Sequence, residues 1–450
     1  MITALFGRFS MMNTKNNTTI LPLFFKYVSS NVLGMIAFSC YILADTFFIA
    51  RGIGADALAA LNLTLPAYSL MNGTGLMIGM GGASRYSLSS VRPDSEVHRS
   101  CFTRSLILAA CAAFLFSSLG LLFPKRIALL LGAGEGTLQY TETYLRILMA
   151  FAPLFLSNNL LSSFVRNDGA PRLAMAGMLA GSFSNIILDY IFIYPLNLGM
   201  AGAALATATA PVIGMLTLSI HFLGRKNHFH IRKVAFSLRA FGDILSLGVS
   251  TLVTELSSGV VILVFNFLIL GLNGSQGVAA YGILANIALV LVSIFTGIAQ
   301  GIQPLISRSP KAHVRRGILF YAVLTSLAMS ALSYIAVMLY AVPMADLFNK
   351  DHAPELTMMA ADGMRIYFIS LFFTGINIIA AAFLSAADRP VHAFVISLLR
   401  GLILILPAAW ILSVLFGLTG VWMSVPVTEA IVCLVSTVMI IRQMRPSAGA

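Results

Sequence analysis

Twelve apolar runs, each long enough to cross a lipid bilayer as a helix, dominate this chain. A crossing helix needs about 20 residues. The runs lie near 24–50, 57–83, 104–123, 141–165, 173–195, 200–223, 244–270, 279–305, 317–342, 359–386, 391–416 and 420–441. No water in the hydrocarbon core can satisfy backbone amides, so a spanning segment must be a helix or part of a closed barrel. Barrel strands alternate polar and apolar residues, and these runs do not. Composition agrees. Hydrophobic residues make up 58% of the 450 and charged residues only 10%, with a mean hydropathy of +0.91. A soluble protein of this makeup would lack polar surface to cover itself, and a disordered chain would have far less to bury. The expected fold is an all-α integral membrane protein of twelve transmembrane helices.

The net charge of +12 raises nucleic acid as a partner, but nearly all the basic residues fall in the loops or near the ends of runs, the pattern that orients helices in a membrane. With the N-terminus inside, 21 of the 28 Lys and Arg lie on the inner side and six on the outer side, while Arg400 falls within the eleventh run. Both termini are therefore expected in the cytoplasm of a multi-pass plasma-membrane (bacterial inner-membrane) protein. The four cysteines have no metal or redox spacing and read as packing residues without a disulfide. The segment before the first run is too poor in apolar residues for a signal peptide, and Met1, Met11 and Met12 are each candidate starts.

Residues 224–242 (GRKNHFHIRKVAFSLRAFG) form the longest basic polar stretch. They divide the chain into a lobe at 1–223, a cytoplasmic linker at 224–242 and a second lobe at 243–450. The lobes resemble each other weakly. Ala59, Ala60 and Gly81 recur as Ala279, Ala280 and Gly301, offset by 220; Phe164 and Pro171 recur as Phe383 and Pro390, offset by 219; Gly199 and Gly202 recur as Gly417 and Gly420, offset by 218. Each half holds an even number of helices. The repeats therefore share one orientation, related by a pseudo-two-fold axis along the membrane normal. This is transporter architecture, in which one bundle rocks against the other around a central site.

Away from the ends of the runs, four acids fall inside them: Asp45, Asp189, Glu255 and Glu429. A charge at the bilayer centre costs roughly 2.5–3.5 kcal/mol on insertion scales, so such an acid is a functional candidate; the bland alternative is a structural carboxyl bonded to a neighbouring helix. Two acids keep polar company. Tyr41 precedes Asp45 by one turn, and Asn185 precedes Asp189 by one turn, so each pair shares a helix face. Asn158, Asn159 and Ser162 lie in the fourth run, Thr207 and Thr209 in the sixth. Hard oxygen donors suit a small hard cation. A pair of carboxyls in low dielectric also suits a proton, because there the charged form has lost its hydration. The repeat mates of positions 45 and 189 are Phe265 and about Ala408, so a cation site would be confined to the first lobe. No catalytic constellation appears among the seven histidines, and no GxxxxGK[ST] phosphate loop is present. The GxxxG at Gly75 and Gly79 reads as close helix packing.

Several stretches together resemble the multidrug and toxic compound extrusion (MATE) family over about residues 20–440: YILADTFFIARGIGADALAALNL, SNNLLSSFVRNDGAP, SNIILDYIFIYPLNLGMAGAALAT and GVAAYGILANIALVLVSIFTGIAQGIQPLIS. The resemblance implies a secondary antiporter, not an enzyme, that exports an amphipathic, often cationic, small molecule as Na⁺ or H⁺ enters. It implies no cofactor beyond Na⁺ as a coupling ion, no nucleic-acid partner and a functional monomer in the lipid bilayer. By similarity to the DinF-like branch, the cation site falls on Asp45, Asn185, Asp189 and Thr207. Tyr41, Asn158, Asn159 and Ser162 then line the adjoining cavity or proton network, and Glu255 matches the seventh-helix acid of other branches. Two other readings stand beside it: a flippase for a lipid-linked precursor, for which Arg400 would be the cation to watch, and a channel.

Overall fold

Long apolar stretches fold as helices that run through internal prolines such as Pro66 and Pro211 and turn where a glycine takes a positive φ, as at Gly54 and Gly417. The computed structural model describes residues 17–90, 95–225, 227–309, 311–348 and 354–444. The candidate starts Met1, Met11 and Met12 lie outside the described residues, as do Arg8, Lys15, Arg92, Lys226, Lys350 and Arg445 from the charge count.

The first lobe contains α1 (Asn17–Gly52), α2 (Ala55–Ser89), α3 (Glu96–Leu122), a short α4 (Pro124–Leu130), α5 (Leu138–Ala150), α6 (Ala152–Asn167), α7 (Pro171–Ile193) and α8 (Gly199–Leu223). The second contains α9 (Leu238–Gly274), α10 (Gln276–Ser307), α11 (Ala312–Phe348), α12 (Pro354–Tyr367), α13 (Leu371–Ala386), α14 (Pro390–Leu398) and α15 (Ile405–Met444). Among the described residues, nine helical segments are long and apolar enough to cross a membrane, or ten when α5 and α6, bent by 50°, count as one. Two more complete the twelve. The 35-residue α2 is rich in glycine and buries Thr64, Asn72, Ser84 and Ser87, so it crosses as an interior helix. The last apolar stretch turns back on itself at Gly417, whose φ of 59° breaks the helix.

The turns repeat between lobes. Gly199, which opens α8, has φ 56°, nearly that of its mate Gly417, and Gly54, between α1 and α2, has a positive φ like its mate Gly274 between α9 and α10. The crossings between lobes repeat as well. A methyl group at Gly81 of α2 would lie 2.0 Å from the Ile244 carbonyl oxygen of α9, and one at Gly248 of α9 would lie 1.9 Å from the Met77 carbonyl oxygen. The mate of Gly81 is Gly301 of α10, where a methyl group would lie 2.8 Å from the Cα of Val28 in α1; Val28 is itself the mate of Gly248. Absent side chains let backbones approach closely, which compensates for the weak drive to helix association in lipid. The GxxxG of α2 does the same inside its lobe: Gly79 abuts the Asn159 carbonyl oxygen of α6.

Two hydrophobic cores result, one centred on α2, α3 and α6, the other on α10 to α15. The first turns of α1 cross over, burying Phe24, Tyr27 and Val28 in the second core. Large apolar side chains such as Phe114, Phe267 and Leu347 point outward, as lipid-facing helices require. Because spans alternate in direction, the first turn of α1, the last turn of α15 and the segment between α8 and α9 lie at one end of the molecule, here termed the linker end.

Candidate functional site

The membrane-embedded acids fall into three settings. The first is built by α1, α7 and α8. Gly34 of α1 lies against Met178 of α7, and Gly52 against Ile193, so α1 and α7 pack along much of their length. Residues 194–198 return the chain into α8 beside α7. This arrangement brings together Asp45, Asn185, Asp189 and Thr207, all buried. The Asp45 and Asp189 carboxyls face each other closely enough to share a proton. The Asn185 amide has two orientations that heavy-atom positions alone do not separate. One donates to Asp189 Oδ2 at 3.1 Å and accepts the Thr207 N–H at 3.2 Å; the other donates to Thr207 Oγ1 at 3.5 Å but turns the amide oxygen toward acceptors. The first is the favoured state.

Buried polar atoms are nearly always paired. Asp45 Oδ1 and Asp189 Oδ1 are exceptions: both are buried and neither has a hydrogen-bond partner among the described residues. Two facing carboxyls, each with an orphaned oxygen among the described residues, beside the Thr207 hydroxyl and an Asn185 amide that can turn its oxygen toward them, form a donor set suited to Na⁺ or a proton.

Three tyrosines border this pair. Tyr41 sits one turn from Asp45, and its Oη lies 3.4 Å from Tyr68 Oη of α2. Tyr144 of α5 is buried against Thr207 and the acids. Nothing in its spacing marked Tyr144. Tyr68 had a signal, since Asn72 follows it by one turn on the same face.

The second setting belongs to Glu255 of α9, which faces Asn72 of α2, while Asn72 Oδ1 accepts from Asn159 Nδ2 at 2.9 Å. Tyr68 stands between the settings, near both Asp45 and Glu255. The fourth-run residues expected to act together part company. Asn159 reaches α2, whereas Asn158 Oδ1 would meet a Cβ at Gly214 of α8 at 2.8 Å; adjacent helical residues point about 100° apart. Ser162 is half-buried and joins neither group by a hydrogen bond among the described residues. Thr209 bonds back to its own helix at Leu205 and Ala206.

The third setting pairs Arg400 with Glu429 deep in the second lobe. Arg400 donates to Glu429 Oε1 through Nη2 at 2.7 Å and Nε at 3.1 Å, and Asn377 donates to Glu429 Oε2 at 2.6 Å. Arg400 sits in a π-helical turn, Leu399–Ile403, that aims its guanidinium at α15. The eleventh-run cation is thus neutralised.

Residues 166–168, counted as a loop, instead form a buried hub where α6 ends. Arg166 donates to Asn31 of α1 at 2.8 Å, to Gln300 of α10, and to Met80 Sδ. Asn167 accepts from Ser87 at its side chain and from Arg308 at its carbonyl. Asp168 accepts from Tyr86 and from His221 at 2.9 Å each, and from His228.

Comparison with known proteins agrees with this architecture. The MatE family model matches residues 31–191 and again 251–411, two copies offset by 220. Multidrug export protein MepA of Staphylococcus saprophyticus is 28% identical over 420 residues, and that of a Staphylococcus aureus strain likewise, each match covering 92% of both chains. Among solved structures, an outward-facing MATE family transporter of the MOP superfamily superposes with a TM-score of 0.88 at 22% identity, covering 96% of this chain and 99% of that one. A MOP superfamily transporter from Pyrococcus furiosus, described as having reverse polarity in its binding pocket, gives 0.86 at 21%, with the same coverages. With two family matches spanning most of its length and both falling on the repeated half-bundle, this twelve-helix membrane protein belongs to the MatE family of transporters.

Proposed function

We propose that the chain is a multidrug exporter that drives amphipathic, mainly cationic, compounds out of the cytoplasm in exchange for Na⁺ or H⁺ entering through the first lobe. The observation that carries this reading is the facing pair Asp45 and Asp189, each with a buried oxygen lacking a partner among the described residues. The sequence carries no GxxxxGK[ST] motif, and an ion gradient is the energy source that suits a buried acid pair. Na⁺ would be held by Asp45, Asp189, Asn185 and Thr207, and a proton by the two carboxyls alone. The MepA relatives, named as multidrug export proteins, support the substrate class.

Alternating access fits the inter-lobe contacts. Ser39 Oγ to the Leu289 carbonyl, Gly73 against Glu255, the glycine crossings and the Arg166 hub all run from mid-membrane to the linker end. With the linker end in the cytoplasm, the molecule is closed to the inside, in keeping with its likeness to an outward-facing structure. A monomer suffices, because one chain carries both lobes and the whole acid cluster. A flippase acting on anionic head groups gains no support, since Arg400 is held by Glu429.

The test is reconstitution in liposomes with Na⁺ and H⁺ gradients imposed separately while efflux of a fluorescent cation is followed. Acceleration by either gradient is expected. Transport that ignores both gradients removes the antiport reading.

A further inference from the structure

The linker carries a surface that neither the cation site nor the lobe packing uses. Residues 224–242 hold five Lys or Arg and no acid. Between the end of α8 and the start of α9 this strap is largely non-helical, and it is pinned to the first lobe from beneath. Phe229, 3% exposed, is buried among Phe102, Phe164, Tyr86 and Phe222. The His228 N–H donates to Asp168, and the Arg232 N–H donates to Thr103 Oγ1, both at 2.9 Å.

With its underside committed, the strap turns other residues outward. Ile231, Phe236 and Leu238 are each more than 70% exposed, interleaved with the exposed Arg232, Lys233 and Arg239. Large apolar side chains this bare are costly in water. On α8, Leu216, Ile220 and Leu223 lie along one side with exposures of 64%, 56% and 81%, and Leu223 is the last residue before the strap. The strap therefore begins where a helix with a lipid-facing side ends. Apolar insertion beside a cationic cluster with no acid is the chemistry that holds anionic lipid.

We infer that the 224–242 strap is a docking site for anionic phospholipid, with Ile231, Phe236 and Leu238 inserted at the acyl boundary and Arg232, Lys233 and Arg239 holding the head groups. A basic residue near an anionic surface is worth about five-fold in local lipid enrichment, so several together discriminate strongly between anionic and zwitterionic neighbours.

The test uses the full chain in liposomes mixing phosphatidylglycerol with phosphatidylcholine, one of the two brominated on its acyl chains to quench nearby indoles. Trp410→Phe removes the lipid-exposed native indole; buried Trp422, 3% exposed, stays as a reporter of the fold. Phe236→Trp is added to that parent. The added indole should be quenched, and about two-fold or more strongly by brominated phosphatidylglycerol than by brominated phosphatidylcholine at equal mole fraction. Arg232→Gln, Lys233→Gln and Arg239→Gln together should abolish the preference while leaving quenching itself. No quenching by either lipid would place the strap in water or under a protein partner. That result, equal quenching by the two lipids, or a preference that survives the triple substitution overturns the inference.

Discussion

Asp45 and Asp189 are chemically alike, and the chain gives the same kind of clue to each. Each announced itself by a polar residue one turn earlier, Tyr41 and Asn185, because a shared helix face is visible at i, i+4. That the two faces meet was not visible. It follows from how α1 packs on α7, as do the orphaned carboxyl oxygens. Asp45→Asn should abolish gradient-driven efflux from liposomes while the protein still inserts and folds; normal efflux would remove Asp45 from the mechanism. Thr207→Val keeps the shape and deletes an oxygen. If Na⁺ is the coupling ion, its affinity by isothermal titration should fall about ten-fold, the order of one polar contact. If a proton couples, efflux under a pH gradient should hardly change, because the carboxyls alone bind it. Glu255→Gln is the control. Lost transport in Glu255→Gln, with both forms of coupling intact in Thr207→Val and Asp189→Asn, would move the ion site to Glu255 and its partner Asn72.

At the scale of helices, the crossing of α2 and α9 rests on two glycines whose missing side chains each admit a carbonyl oxygen. A side chain at Gly248 would overlap the Met77 carbonyl, and backbone cannot step aside as a flexible side chain can. Gly248→Val should therefore weaken the closed linker end by about 1–3 kcal/mol, the usual cost of overpacking, which is roughly 5- to 150-fold in the ratio of states. Electron-spin distances between labels at the exposed positions Arg172 and Arg389, in a cysteine-free background, should lengthen. Unchanged distances would mean the crossing does not control closure. The repeat of Gly81 as Gly301 could be read from the sequence, but not that both lie at inter-lobe crossings. Small residues pack helices within a lobe and between lobes alike, as Gly79 against α6 illustrates.

For the whole molecule, one monovalent cation crossing 100 mV supplies about 2.3 kcal/mol, close to fifty-fold in concentration, provided that ions do not leak through the closed end. Arg166 stands in that closure, 2% exposed, bonded to Asn31 and Gln300 from the two lobes and to no carboxylate among the described residues. Such a charge raises the barrier to other cations. Arg166→Gln should increase substrate-independent Na⁺ or proton leak in dye-loaded liposomes, and Arg166→Lys should not; a tight Gln variant would leave Arg166 a purely structural role. Reporter fusions at residue 230 and at the C-terminus should both read cytoplasmic, and a periplasmic C-terminus would reject the twelve-span topology. Hydrophobic run lengths, the balance of basic loops and the 220-residue repeat belong to the sequence by itself, because lipid imposes span length and local composition on each helix independently. They sufficed for twelve helices in two bundles and for the candidate acids. Which acids meet, which arginine is neutralised by Glu429 and which is buried between the lobes were decided only by tertiary structure. Those outcomes depend on the rotation of each helix about its axis against neighbours far away in the chain, a quantity that no local spacing contains.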